Sequence, residues 1–190
     1  MLRTDALEIL VNHKADAISI VTMQSVYPWQ ELGGARSAHI DATGCMGSAS
    51  SLGLGLAIGN PERPIWVLDG DGSLLMQLGT LVTISGLAPE NFYHFIFSNG
   101  LYQSTGNQPL PGHSKFDLCG MAISAGYSFA VRYAETDEFE RELEEIINFK
   151  GPGLIELIID PEPGPPRWAG IKMADQVKKL QAELSNSDEE

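Results

Sequence analysis

The chain has 190 residues, 43% of them hydrophobic, with 20 glycines and 11 prolines, which suits one globular domain with a substantial core. Its 25 acidic residues against 12 basic ones leave a formal net charge of −13. That balance argues against a nucleic-acid or anionic-membrane partner, either of which needs a basic patch. No run approaches the roughly 18 apolar residues of a membrane span, and the opening MLRTDALEIL carries no signal-peptide pattern, so the expectation is a cytoplasmic protein without membrane attachment.

In chain order, short β-branched or aromatic runs at 17–22, 65–69, 92–97, 127–132 and 154–159 alternate with segments of helical period at 4–13, 46–58, 73–86, 116–125 and 136–149. Such alternation predicts an α/β fold, a mostly parallel, doubly wound sheet with helices on both faces. Thr136 reads as a helix N-cap with Asp137 and Glu138 in the first turn, and Gly151-Pro152-Gly153 closes that helix. Two connections, 23–43 and 99–115, exceed ordinary loop length and follow strands, which places them at the carboxyl edge of the sheet as carriers of function. The domain is expected over 1–165. A proline-rich exit at 161–166 then leads to a tail over 166–190, helical at 171–184 with an acidic, frayed end. Cys45 and Cys119 show neither a disulfide framework nor metal-ligand spacing, and their apolar, small-residue contexts read as buried free thiols. His13 and His94, inside a helix and a strand, read as structural.

The most informative stretch is Trp66-Val67-Leu68-Asp69-Gly70-Asp71-Gly72-Ser73. An apolar strand runs into Gly-Asp-Gly and then a helix, which brings a carboxylate to the carboxyl edge of a parallel sheet beside a turn open to phosphate. Asp-Gly pairs are also ordinary turn residues, so this turn alone leaves a structural reading equally open. Asn99 follows Asp71 by 28 residues, at the end of the next apolar run. Consecutive strands in such units are often neighbours, so Asp71, Asn99 and the backbone carbonyl near Leu101 could meet on one hard cation.

Gly-Asp-Gly, a gap of this length and then Asn resembles the signature of thiamine diphosphate (TPP) enzymes, over about residues 4–160. Within them, GDGSLLMQLG (70–79) and SNGLYQSTGNQ (98–108) are most similar to the phosphonopyruvate and sulfopyruvate decarboxylases. Three places depart from that pattern: Ser98, where Asp or Asn is usual, Asn107, where Gly is usual, and 23–29 (MQSVYPW), where a substrate loop rich in Gly, Ser, Thr and Arg is expected. The resemblance implies Mg²⁺ held by Asp71, Asn99 and the Leu101 carbonyl, and a diphosphate bonded by Gly70, Gly72 and Ser73. It implies a Gly44 carbonyl accepting from the aminopyrimidine and Met46 wedged between the cofactor rings; the bland alternative for Met46 is core filler at the start of helix 46–58. Tyr102, Ser104 and Thr105 would line the loop after the metal pair. With so acidic a chain, the metal and helix N-termini must supply the positive field for the diphosphate.

The family also uses a glutamate on the far pyrimidine nitrogen, carried by a separate pyrimidine-binding domain. Glu8 and Glu31, the only glutamates before Met46, lack its strand-turn setting, so that glutamate is expected on a partner chain. The implied protein is the TPP- and Mg²⁺-binding subunit of a hetero-oligomeric lyase, a 2-oxo acid decarboxylase acting on a small acid of the sulfopyruvate or phosphonopyruvate kind. The alternatives are the subunit of a TPP-dependent carboligase of the acetolactate-synthase type, or a cofactor-free interaction module. His113 is a candidate proton donor to the reacting carbon or an exposed loop histidine, with Lys115 on the same loop. Arg36 and His39 either meet an anionic substrate tail or are surface charge. Helix 46–58, with Gly53, Gly55 and Gly59, is shaped for close contact with another subunit or with its own sheet.

Overall fold

The computed structural model describes residues 1–113, 115–163 and 173–187, the side chains of 186 and 187 excepted. The expected frayed end (188–190), the end of the proline-rich exit and the start of the tail helix lie outside the described residues. In chain order the elements are α1 (Arg3–His13), β1 (Ile18–Val21), α2 (Met23–Glu31), β2 (His39–Asp41), α3 (Ala49–Gly59), β3 (Ile65–Gly70), α4 (Asp71–Met76), α5 (Thr80–Leu87), β4 (Phe92–Ser98), a hairpin of β5 (Leu101–Tyr102) and β6 (Gln108–Pro109), α6 (Leu118–Ala125), β7 (Phe129–Tyr133), α7 (Thr136–Ile146), β8 (Gly153–Ile158) and α8 (Met173–Ser187).

Six strands form one parallel sheet in the order β2-β1-β3-β4-β8-β7. Because side chains alternate along a strand, β3 sends Trp66 and Leu68 to one face and Ile65 and Val67 to the other. The first pair packs with Leu7, Trp29 and Phe139 under α1, α2 and α7. The second packs with Leu54, Ile84 and Ala122 under α3, α5 and α6. The α/β architecture is therefore as the alternation of apolar runs predicts.

The two long connections are more ordered than expected. The first contains α2, held down by buried Val26 and Trp29, and the three-residue strand β2. The second contains the β5–β6 hairpin. The helix expected at 73–86 is two helices, because the backbone leaves helical geometry at Gln77 (φ −136°, ψ 42°) just before Gly79. Helix α3 starts at Ala49, leaving Met46 in the preceding turn. Glu135, rather than Thr136, occupies the N-cap of α7, without a side-chain cap bond.

Helix α8 returns to the far edge of the sheet. The Gln176 side chain accepts from the Asp41 backbone N–H (2.7 Å) and donates to Asp41 Oδ2 (2.8 Å), and Glu183 accepts from the Ala38 N–H at 2.9 Å. Leu180 joins the core on that side. Among the described residues, no helix is long and apolar enough to cross a membrane.

Candidate functional site

The strand order reverses between β1 and β3: α2 leaves β1 toward one face and α4 leaves β3 toward the other. A crevice opens at the carboxyl ends of strands at such a switch point. Here it is a cavity of about 250 Å³ walled by Thr22–Ser25 after β1, Asp69–Ser73 at the end of β3, and Asn99 and Leu101–Thr105 after β4, with Gly44 and Met46 on the α3 side.

Asp71 is at its floor, 2% exposed. Its Oδ1 accepts from the Gly72 N–H at 2.7 Å, and Oδ2 accepts from the Gly100 N–H at 2.7 Å and from the Ser98 hydroxyl at 3.4 Å. Burial pushes this carboxyl above the usual carboxylate range, and the backbone N–H groups of Gly100, Gly72 and Asn99 pull it back. Ser98 thus spends its hydroxyl on Asp71, where an acidic residue would face it. Asn99 Oδ1 accepts from the Leu101 N–H at 2.9 Å and its Nδ2 donates to Gln103 Oε1 at 3.1 Å. Asn107, with φ +61°, takes the left-handed backbone that Asn tolerates better than other side chains do, which accounts for its standing where glycine is usual.

The glycines serve different ends. A Cβ on Gly72 would meet the Tyr102 ring at 2.8 Å, so Gly72 permits close packing of the hairpin. Gly70 and Gly44 leave open space where a Cβ would stand, and both line the cavity. Ser73 accepts from the Gly47 N–H at 3.0 Å, tying the turn that carries Met46 to the Gly-Asp-Gly turn. Met46, between two left-handed glycines at 44 and 47, is 45% exposed and lines the cavity. It is not core filler.

Other expected residues lie elsewhere. His113 is exposed, outside the cavity wall, with its ring against Gly100 and edge-on to Phe116 (5.8 Å). Lys115 is exposed as well. Arg36 and His39 line a separate cavity beneath α8, and His39 bonds Asp41 and the Ser19 hydroxyl (3.1 Å) rather than facing the first cavity. His94 is buried with Nε2 3.4 Å from Asp69 Oδ2. Cys45 is exposed and Cys119 half-buried, correcting the expectation of two buried thiols. Cys119 comes together with Asp117 and Glu156, but Arg132 occupies that cluster, 2.6 Å from Asp117 and 2.7 Å from Glu156. Gly53 packs on the protein's own Val67 and Phe92, whereas Gly55 and Gly59 face open space.

Sequence reasoning missed one charged residue in the wall. Arg3, from the first turn of α1, is 4% exposed and lines the cavity with Asp71 and Asn99. Its Nη2 donates to Gln103 Oε1 at 2.7 Å. Burial holds its pKa below the usual arginine value, with Glu162 and Asp71 acting in the opposite sense. Thr22, read as the end of a strand, and Met23–Ser25, read as part of a departing loop, bring the N-terminus of α2 to the cavity.

A buried carboxylate, a neighbouring amide oxygen and open glycines at a switch point define a site for a phosphorylated cofactor. The chain belongs to the thiamine pyrophosphate enzymes, whose C-terminal TPP-binding domain matches it over residues 19–157. It is 37% identical over 164 residues to a phosphonopyruvate decarboxylase of Streptomyces hygroscopicus, covering 84% of this chain and 39% of that protein. It is 38% identical over 143 residues to the sulfopyruvate decarboxylase subunit beta of Methanothermobacter thermautotrophicus, covering 74% of this chain and 75% of that subunit. The chain therefore spans about two fifths of the Streptomyces relative and three quarters of the subunit. A solved structure from Mycobacterium smegmatis, described as thiamin diphosphate-dependent, shares the fold (TM-score 0.71, 20% identity, 85% of this chain and 32% of that one). The site fits the cofactor: Gly70 and Gly44 leave open space along the cavity, and Asp71 and Asn99 bring a carboxylate and an amide oxygen to its lining.

Proposed function

We propose that this chain is the TPP- and Mg²⁺-binding subunit of a hetero-oligomeric 2-oxo acid decarboxylase acting on a small acid of the sulfopyruvate or phosphonopyruvate kind. The observation that carries this reading is the match across three quarters of a protein named as a subunit of such an enzyme, joined to one cavity lined by the Asp71–Asn99 pair and by Met46.

When bound, the cofactor supplies the nucleophilic carbon and the electron sink for loss of CO₂. Asp71, Asn99 and the Leu101 carbonyl would hold Mg²⁺, an oxygen-only set of the hardness that cation prefers. Gly70, Gly72 and Ser73 would bind the diphosphate, with the Tyr102 ring of the hairpin packed against Gly72. Met46 would present an unbranched, polarizable side chain to the cofactor's rings, and the Gly44 carbonyl would accept from its aminopyrimidine. Among the described residues the cavity wall contains no glutamate, which supports a pyrimidine-activating Glu on the partner chain. His113, exposed and outside the wall, gains no support as a proton donor.

The test is consumption of sulfopyruvate and phosphonopyruvate by the purified chain with excess TPP and Mg²⁺, before and after adding the candidate partner. Turnover should require both chains and release CO₂ with or without an acceptor aldehyde. Product formed only with an acceptor would make it a carboligase, and full turnover by this chain alone would remove the need for a partner.

A further inference from the structure

Arg3 is a buried cation whose bonding is incomplete. A guanidinium has five N–H donors, yet among the described residues its side chain makes a single hydrogen bond, to Gln103, and its buried Nε has no partner. No carboxylate forms an ion pair with it there: the Glu162 carboxylate that lies near accepts from the Arg3 backbone N–H (2.7 Å) and from the Thr4 hydroxyl (2.8 Å) instead. An unpaired buried charge is costly to keep, and a chain of net charge −13 has no general use for a buried cation. The placement gives it one. Arg3 lines the same cavity as Asp71, Asn99 and Ser104, and Gln103 Oε1 accepts from both Arg3 and Asn99. The N-terminus of α2 lies on the same wall and adds backbone N–H groups to the field.

We infer that Arg3 binds a tetrahedral oxyanion in this cavity, namely the terminal phosphate of the cofactor's diphosphate. This rests on the reading of the cavity as a TPP site. A planar fork of donors suits the phosphate oxygens that the metal leaves unengaged. The same chemistry is offered by the sulfonate or phosphonate of a substrate, but the link through Gln103 to Asn99 puts Arg3 beside the metal pair, and that favours the cofactor.

The experiment titrates the full-length chain, with Mg²⁺, by calorimetry with TPP, inorganic pyrophosphate and unphosphorylated thiamine, in wild type, R3Q and R3K. R3Q should weaken TPP and pyrophosphate roughly 10- to 100-fold, the range for loss of a charge-assisted hydrogen bond, and leave thiamine unchanged. R3K should recover part of the loss, and the melting temperature of ligand-free R3Q should equal or exceed that of wild type, because a lone buried charge has been removed. Should R3Q fail to fold, the inference is overturned, since Arg3 then serves packing. Unchanged TPP and pyrophosphate affinity in R3Q also overturns it; a rise confined to KM for sulfopyruvate over pyruvate in the assembled enzyme would then assign Arg3 to the substrate. Wild type that binds neither TPP nor pyrophosphate would sink the cofactor reading itself, and the role of Arg3 with it, a result distinct from a wild type that binds and a variant that binds equally.

Discussion

The Gly100 N–H donates to Asp71 Oδ2 at 2.7 Å across the ends of two neighbouring strands. Gly100 can do so because its backbone is left-handed (φ +72°), and its bare α-carbon lies under the His113 ring. One residue thus orients the buried carboxylate on one side and seats an exposed histidine on the other.

Gly100→Ala should therefore be destabilised twice over. A side chain at positive φ costs about 1–2 kcal/mol, and the new Cβ would stand 2.6 Å from His113 Nε2. Removing the ring in Gly100→Ala/His113→Ala relieves only the second term. Urea unfolding of the two variants separates them; full recovery in the double variant would leave the backbone argument without support.

His113→Ala alone should leave turnover of the assembled enzyme within a few-fold of wild type. A general acid contributes about 10²–10⁴-fold, so a loss of that size would restore His113 as the proton donor despite its position outside the cavity wall.

Asp71→Asn and Asn99→Ala should each abolish Mg²⁺-dependent TPP binding while the chain stays folded. Removing groups that merely support a metal ligand costs on the order of 10–100-fold in affinity, and loss of a ligand itself should cost more. Calorimetry with and without Mg²⁺ reads this directly, and wild-type affinity in Asp71→Asn would end the metal assignment.

Met46→Ala should keep TPP affinity within a few-fold but slow hydrogen–deuterium exchange at C2 of the bound cofactor by roughly 10- to 100-fold, the effect of a relaxed reacting geometry. Equal exchange rates would leave Met46 no part in setting that geometry.

The two thiols should label unequally. Burial pushes the Cys119 thiol up to about 12, reinforced by Glu156, so at neutral pH it stays protonated and unreactive. Iodoacetamide at pH 7.5 should modify exposed Cys45 first, and Cys119 only in denaturant or as the pH rises toward 12. Peptide mass spectrometry gives the two rates, and equal rates in the folded protein would contradict the placement of Cys119.

Much of this cavity is legible in the sequence because a glycine-flanked acid at one strand end and an asparagine at the next, 28 residues on, make a far more specific pair than either turn alone. Asp71, Asn99, Gly44 and Met46 are brought to one cavity by local signals: positive-φ glycines, strand ends and connection lengths. Arg3 carries no such signal. An arginine near the start of a weakly amphipathic helix looks like surface charge until α1 is laid against the strand ends. The stretch 23–31 reads as loop because Pro28 and its aromatics disfavour a helix, and burial of Val26 and Trp29 overrides that preference. Their i, i+3 spacing was the available clue. Strand β2 is three residues long and depends on α8, more than a hundred residues later, for its cover.

That last dependence has a consequence for how the chain comes to be folded. The edge of the sheet at β2 is made early in synthesis, and its outer cover arrives only with α8, more than a hundred residues later. Until Gln176 reaches Asp41, β2 presents uncapped backbone of the kind that invites pairing with another molecule. Docking of α8, rather than completion of the Gly-Asp-Gly turn, is then the step that closes this edge of the sheet.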